Sequence, residues 1–459
     1  MNRVWTNTLW KILAILGGKL LVFVLLFAAA RRLSLADFGY FSFALAFGYI
    51  LFPLIDAGLG TALWREATTA ADAGRRAYSS SRRLLGATAL GGLAIGLTVL
   101  CFFALPPAAF WLTVLILAGI AISVVVNLRQ AVFKSRERLR EDALVSLAAN
   151  LAYVILGLLG LWAGAGLVGL GLAFLAGQGC GAYVAFRLAL FTEPERVDPH
   201  PTPGELWRSS WPFALIGLFT VVYFRVDALL LERLAGAAEV GLYSAAYRLI
   251  EAAMILPAAF LAAYFPRLAR EAETKPVSGD LTPHFQWLIG TAALGVVFGS
   301  FFAGDVLELL FGAAYRQGSS TLILLLPALL SIYPNYLLTT LLVAHRRQKS
   351  FMKITALCAL ANILLNCLAI PLWERLGAAG STLVTEGLLT FLAVRELRPH
   401  LPRISLQKLL VPLNYAAIFG LLLGLLYFVS PSAAMVGGCG LLILGLIAAW
   451  WRFHRQVEE

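Results

Sequence analysis

The chain has 459 residues, of which 60% are hydrophobic and 13% charged, with a mean hydropathy of +0.83 and a formal net charge of +11. A soluble globular protein of this length has no use for so much apolar surface, which excludes a soluble enzyme and a nucleic-acid partner despite the basic balance. The apolar runs are about 20 residues long, enough to cross a hydrocarbon core of roughly 30 Å as helix, so the sequence describes an all-α polytopic membrane protein.

In chain order, fourteen spans are predicted: 8–30, 38–62, 84–105, 109–128, 143–163, 166–189, 211–231, 240–264, 284–303, 319–344, 350–371, 376–394, 408–429 and 432–451. The first is too long for a signal peptide and is followed by Arg31-Arg32, so it is expected to stay as a helix. The stretch from Trp64-Arg65-Glu66 to Arg83 reads either as a helix lying at the membrane surface or as an ordinary basic loop. Tyr333-Pro334-Asn335-Tyr336 is expected to break the tenth span. The most polar and proline-rich stretch, Glu193–Pro203, reads as a linker. The resulting division is 1–190 with helices 1–6, 191–208 as a cytoplasmic linker, 209–398 with helices 7–12, and 399–459 with helices 13 and 14 and the C-terminus.

Lysine and arginine then orient the chain. With both termini cytoplasmic, and with Arg187, Lys353 and Lys408 at the cytoplasmic ends of their spans counted on that side, 27 of the 36 basic residues fall on the cytoplasmic side, five on the other side and four deeper within spans. That bias is the positive-inside signature of a cytoplasmic (inner) membrane protein. The five cysteines all lie inside apolar segments without CxxC spacing and read as small buried hydrophobes. Five scattered histidines offer no metal cluster.

The sequence is built twice. Arg32-Leu33 followed by Asp37-Phe38-Gly39-Tyr40-Phe41-Ser42 reappears as Arg233-Leu234 followed by Glu239-Val240-Gly241-Leu242-Tyr243-Ser244. Ala148-Ala149-Asn150-Leu151 recurs as Leu360-Ala361-Asn362-Ile363, and Gly166-Leu167-Val168-Gly169 as Gly377-Ala378-Ala379-Gly380. Parallel repeats of six spans, related by an axis along the membrane normal, predict a transporter with its site between two pseudo-repeated lobes.

Ionisable residues inside spans are costly and mark function by default. Lys19 sits near the midpoint of the first helix, too deep to snorkel comfortably, and reads as facing a water-filled cavity or as half of an ion pair. Lys11 lies about 80° round the same helix and either faces that cavity or snorkels to the cytoplasmic surface. Arg225 and Asp227 point to nearly opposite faces of one helix, whereas Arg248 and Glu251 at i,i+3 can pair. The functional reading places Lys19, Arg225, Arg248 and Lys11 around an anion, with a diphosphate as the natural guess because basic groups out of water gain most from phosphate oxygens. Asp56 is a gate or a partner for a loop arginine. Glu251 and Glu386 are candidates for gating or for proton or cation coupling, against pairing with neighbouring side chains. There is no Gly-rich phosphate loop, HExxH or nucleophile elbow, so no enzyme activity is expected.

Arg32-Leu33 with Asp37-Phe38-Gly39-Tyr40, the Asp56-Ala57-Gly58-Leu59 turn, and Asp227 followed by Glu239-Val240-Gly241-Leu242-Tyr243 resemble the polysaccharide (O-antigen type) flippases of the multidrug/oligosaccharidyl-lipid/polysaccharide exporter superfamily. The resemblance implies two six-helix lobes around a central cavity, two added C-terminal helices, and alternating access. Its implied cargo is an undecaprenyl-diphosphate-linked oligosaccharide, its surroundings the membrane lipids, and its partners a glycan polymerase and export machinery. The related lipid II flippases bind sodium through an Asp on helix 7, polar residues on helix 11 and a Thr on helix 12. Asp227, Asn362, Asn366 and Thr382 are similar here, with the Ala378 carbonyl as a fifth oxygen, while Asn366 stands where an acid can occur. The same asparagines also fit a role as interhelical hydrogen-bond glue. No other cofactor is implied. The competing readings are a lipid II flippase, a multidrug and toxin extrusion antiporter (which needs an acidic cavity) and a membrane glycan polymerase or ligase (which needs a large outward loop).

Overall fold

A computed structural model describes residues 3–69, 71–189, 202–262, 264, 281–345, 347–399 and 406–458. Among these there is no strand. The helices are α1 (Arg3–Arg32), α2 (Leu35–Asp56), α3 (Leu59–Thr69), α4 (Ala71–Leu100), α5 (Pro107–Ser135), α6 (Leu139–Trp162), α7 (Gly166–Ala189), α8 (Pro203–Ala235), α9 (Ala237–Ala253), α10 (Thr282–Phe311), α11 (Ser319–Leu325), α12 (Leu329–Ala344), α13 (Gln348–Leu397), α14 (Leu406–Val429) and α15 (Pro431–Glu458). Twelve stretches among the described residues are long and apolar enough to cross a membrane. One of them is α13, whose 50 residues break at Glu374 (φ 48°, ψ −127°), and α1 adds 30 residues ahead of them. The chain is a multi-span helical membrane protein with the fourteen crossings that its apolar runs predict.

Local chemistry sets the helix ends. Ser34 caps α2 by accepting the Asp37 N–H at 3.0 Å while its hydroxyl donates to the Asp37 carboxylate at 2.8 Å. Thr202 and Glu205 form a reciprocal capping box, with Pro203 in the first turn, and so start α8. Gly236 at φ 91° stops α8 and turns the chain into α9.

Two expectations from the sequence change, at the end of the second span and at Pro334. The second span, expected to run to 62, stops at Asp56 because Ala57 and Gly58 take left-handed conformations at φ 50° and 72°; the residues beyond form the separate α3. The basic stretch 64–83 is helical on both sides of residue 70, as the end of α3 and the start of α4. Pro334 lies within α12 and does not interrupt it. The tenth span is broken instead at Leu326–Ala328, a single tight turn centred on Pro327.

The helices gather into two compact units, Met1–Gly241 and Leu242–Glu459. In the first, α6 packs on α7 and α1, α5 on α7, and α2 on α8. Helix α8 belongs to the same unit as the spans that precede it. Its seam with α2 is antiparallel and made close by glycine. A Cβ on Gly58 would collide with the backbone of Ser210 and Ala214, and one on Gly217 would touch Pro53 at 3.3 Å. At the other end of α2, a Cβ on Gly39 would overlap the Ala237 carbonyl and one on Gly241 the Leu35 carbonyl. In the second unit, α10 packs on α14, α15 and α12, and α12 on α13. Leu294, Phe302, Phe419, Leu423 and Ala434 form a core there, and Phe453 near the end of α15 meets Phe260 and His284 at ring separations of 5.1 and 5.2 Å.

Candidate functional site in the two units

The first unit carries Lys19, Arg225, Asp227 and Asp56. Helix α1 lies on α6 through its glycines, with Gly18 so close to Asn150 that a Cβ would come within 2.6 Å of the amide nitrogen. Lys19, one residue on, is exposed, and among the described residues it has no ion-pair partner. The Lys11 side chain lies outside the described residues. Arg225 is half-buried on α8, and its guanidinium carbon sits 5.7 Å from the centre of the Tyr49 ring on α2. That is cation–π range, where the ring's quadrupole attracts the charge. Asp227, two residues along the same helix, is 3% exposed.

Among the described residues Asp56 forms no ion pair with an arginine. It is buried, receives the Asn127 amide at 3.0 Å, and accepts the Gly60 N–H at 3.4 Å, which makes it a capping group for α3 after the left-handed turn.

The second unit holds a polar network across α9, α12 and α13. Arg248 and Glu251 pair at 2.6 Å, and the Arg248 side chain is only 11% exposed. The i,i+3 spacing therefore produces the pair it permits, and the positive charge of Arg248 is neutralised within its own helix. The Tyr333 hydroxyl donates to the Ala253 carbonyl at 2.7 Å, tying α12 to the end of α9. Glu386, 4% exposed, receives the Asn335 amide at 2.9 Å, and the Thr390 hydroxyl donates to the Asn335 side-chain oxygen at 2.8 Å. Buried carboxylates need such donors, since an unserved charge at this depth is expensive.

Of the five oxygens considered for sodium, four lie in this unit. Asn366 donates its amide to the Asn362 side-chain oxygen at 2.9 Å, Asn362 donates to the Thr385 hydroxyl at 3.4 Å, and the Thr382 hydroxyl meets the Ala378 carbonyl at 3.1 Å. The Tyr243 hydroxyl reaches Thr382 at 3.2 Å. These neutral oxygens suit a hard monovalent cation in kind. In this arrangement the Asn362 oxygen and the Ala378 carbonyl each accept a protein hydrogen bond. The fifth group, Asp227, lies in the first unit. Among the described residues no three His, Cys, Asp or Glu side chains converge on a metal site.

Tyr49, Asn127, Asn335 (as a donor to Glu386), Tyr243 and Thr385 are members of these clusters that residue-by-residue reading passes over. Each bonds or stacks on a residue far along the chain, and only the Thr382–Thr385 spacing on one helix face gave a local signal. The second unit also contains an apolar cavity of about 680 Å³ among α10, α14 and α15, lined by residues such as Trp287, Leu294, Tyr415, Phe419 and Trp451.

Comparison with known proteins places this architecture. The "Polysaccharide biosynthesis protein" family model matches residues 4–271. No curated protein matches the chain. Among solved structures, the chain is similar to a lipid II flippase MurJ in an inward closed conformation, with 13% identity, a TM-score of 0.81, and coverage of 98% of this chain and 100% of that one. It is also similar to an inward-facing multidrug resistance MATE family transporter of the MOP superfamily, with 15% identity, a TM-score of 0.69, and coverage of 83% and 94%. A Vibrio cholerae MATE transporter, VcmN, shares 17% identity at a TM-score of 0.58, with coverage of 86% and 97%. At these identities the likeness is one of fold, and the fold is that of membrane transporters and flippases. With the family model covering more than half of the sequence, the chain belongs to the polysaccharide biosynthesis protein family, on the fold shared by MurJ and the MATE transporters of the MOP superfamily.

Proposed function

We propose that the protein is a flippase that moves an undecaprenyl-diphosphate-linked oligosaccharide from the inner to the outer leaflet of the cytoplasmic membrane by alternating access, for polysaccharide export. The observation that supports this most directly is basic charge within apolar spans of a polysaccharide-family chain, at Lys19 and at Arg225. Such charges persist in membranes where they serve a polar cargo. A guanidinium offers paired N–H donors to phosphate oxygens, and an ammonium adds a compact point charge. Arg248 joins them only in a state where its pairing with Glu251 loosens. The sugars travel in polar surroundings while the polyprenyl chain stays in lipid.

In this proposal both termini are cytoplasmic, as the distribution of lysine and arginine favours. Sodium or protons drive the cycle, sodium through Asp227, Asn362, Asn366, Thr382 and the Ala378 carbonyl, protons through Glu386. A glycan polymerase and export machinery take the product onward.

The test is glycan display in a strain lacking its own copy of the protein. Lys19→Ala and Arg225→Ala are expected to abolish surface glycan while the inserted protein stays at wild-type level. Full glycan in both variants would overturn the cationic reading. The similarity of fold to the lipid II flippase over 98% of the chain favours a second reading, peptidoglycan-precursor flipping. Rescue of cells depleted of their lipid II flippase would decide for it.

A further inference from the structure

Helix α2 is buried along nearly its whole length, and Tyr49 is the one residue of Leu35–Asp56 that is exposed, at 39%. The pattern of its neighbours identifies what it faces. A helix side turned to lipid exposes residues at i±3, i±4 and i±7 together. Here Ser42, Leu45, Ala46, Pro53 and Asp56 are buried, and Phe52 is half-buried. The opening beside Tyr49 is therefore local, one side chain wide, and it coincides with the place where Arg225 from α8 stands over the ring. An aromatic ring has two faces. One receives the guanidinium, and the exposure of Tyr49 leaves surface for a second occupant.

We propose that Tyr49 and Arg225 form a single recognition element for a glycosyl diphosphate. The guanidinium takes a phosphate oxygen, and the Tyr49 ring receives the apolar C–H face of the sugar attached to that phosphate. The inference rests on the diphosphate reading of Arg225 above and extends it to the first sugar. The chemistry suits both halves of such a ligand. A guanidinium in cation–π range of a ring carries further N–H donors at its edge, the groups that bind phosphate oxygens. A pyranose presents weakly positive C–H groups that complement the negative face of an aromatic ring. The two binding partners also come at a close spacing, because Gly217 of α8 seats against Pro53 of α2 and, just beyond the end of α8, Ala237 of α9 seats against Gly39.

The experiment measures binding of two probes to the purified full-length protein in nanodiscs: undecaprenyl diphosphate, and undecaprenyl diphosphate carrying one N-acetylhexosamine. Wild-type protein is expected to bind the glycosylated probe more tightly. Tyr49→Leu is expected to weaken the glycosylated probe about tenfold and the bare diphosphate less than about twofold, while Tyr49→Phe keeps both, since the ring and not the hydroxyl does the stacking. Arg225→Ala is expected to weaken both probes together. If Tyr49→Leu weakens the two probes equally, the ring only props the arginine and the proposal falls. It falls too if Tyr49→Leu changes neither, or if the wild-type protein gains nothing from the sugar. Loss of neither probe in Arg225→Ala, or wild-type protein binding neither probe, instead overturns the diphosphate reading beneath it.

Discussion

Gly39 and Gly241 occupy matched places in the sequence repeat and pack reciprocally: the Cα of Gly39 lies against the Ala237 carbonyl, and the Cα of Gly241 lies against the Leu35 carbonyl. Leu35 and Ala237 are matched positions as well, so the contact has a local two-fold character of the kind a duplicated chain produces. The space is too small for a methyl group on either side. Gly39→Ala is expected to destabilise the protein by about 1–3 kcal/mol through overpacking against backbone, which cannot move aside as a flexible side chain does. Gly295→Ala, on α10, meets nothing within 4 Å and should be neutral or slightly stabilising. Thermal unfolding of both variants in detergent checks the contrast, and equal midpoints would mean that the two helix starts do not approach this closely.

Asp56 and Asn127 should behave as a coupled structural pair. Asp56→Ala removes the acceptor for Asn127 and the cap on α3, with an expected loss of about 1–3 kcal/mol. Asn127→Ala is expected to cost less, because the Gly60 N–H still reaches the carboxylate. A double-mutant cycle on unfolding free energy reads their coupling, and additive effects would show that the 3.0 Å bond is absent in the membrane.

For Arg248 and Glu251, stability and transport should separate. Arg248→Leu or Glu251→Leu alone breaks a largely buried 2.6 Å ion pair and is expected to cost about 3–5 kcal/mol. The double Leu variant should recover most of that loss, since an apolar pair replaces a neutralised one. If Arg248 also meets substrate in another state of the cycle, the double variant inserts normally yet fails to display glycan. Full glycan from the double variant would reduce the pair to a structural one.

Asn366 provides a handle on coupling. Asn366→Asp adds a carboxylate beside Asn362, which in turn bonds Thr385, and is expected to make transport respond to sodium more strongly than in wild type, because hard cations favour charged oxygen ligands. Flux measured across a sodium gradient, with potassium as control, tests this. An unchanged sodium response would remove these residues from the coupling proposal.

Much of the helical framework was legible because membrane spans announce themselves by length and polarity. The i,i+3 pairing of Arg248 with Glu251 and the division of 350–394 near Glu374 are local facts that a helix period or a polar interruption exposes. Hydropathy did not show that the second span ends at Ala57-Gly58, since two left-handed residues in an apolar run leave it unchanged; that turn was legible only through the Asp56-Ala57-Gly58-Leu59 motif of the family resemblance. Pro334 and Pro327 look equally disruptive as sequence, and only packing decides which of them sits in a tight turn. Tyr49 gave no signal at all, because its neighbour Arg225 is remote in the chain and its exposure depends on which faces of α2 are covered. The polar network of the second unit was half visible: Asn362, Asn366 and Glu386 stood out by residue type, whereas Asn335 and Thr385 acquire meaning only from the residues opposite them.

The placement of α8 bears on where this protein can flex. Backbone-close seating on α2 makes α8 a passenger of the first six spans, so the proline-rich stretch that precedes it leads into a helix already committed to that body. Anything that displaces α2 must carry α8 with it, because at Gly58 no side chain stands between the two backbones to yield.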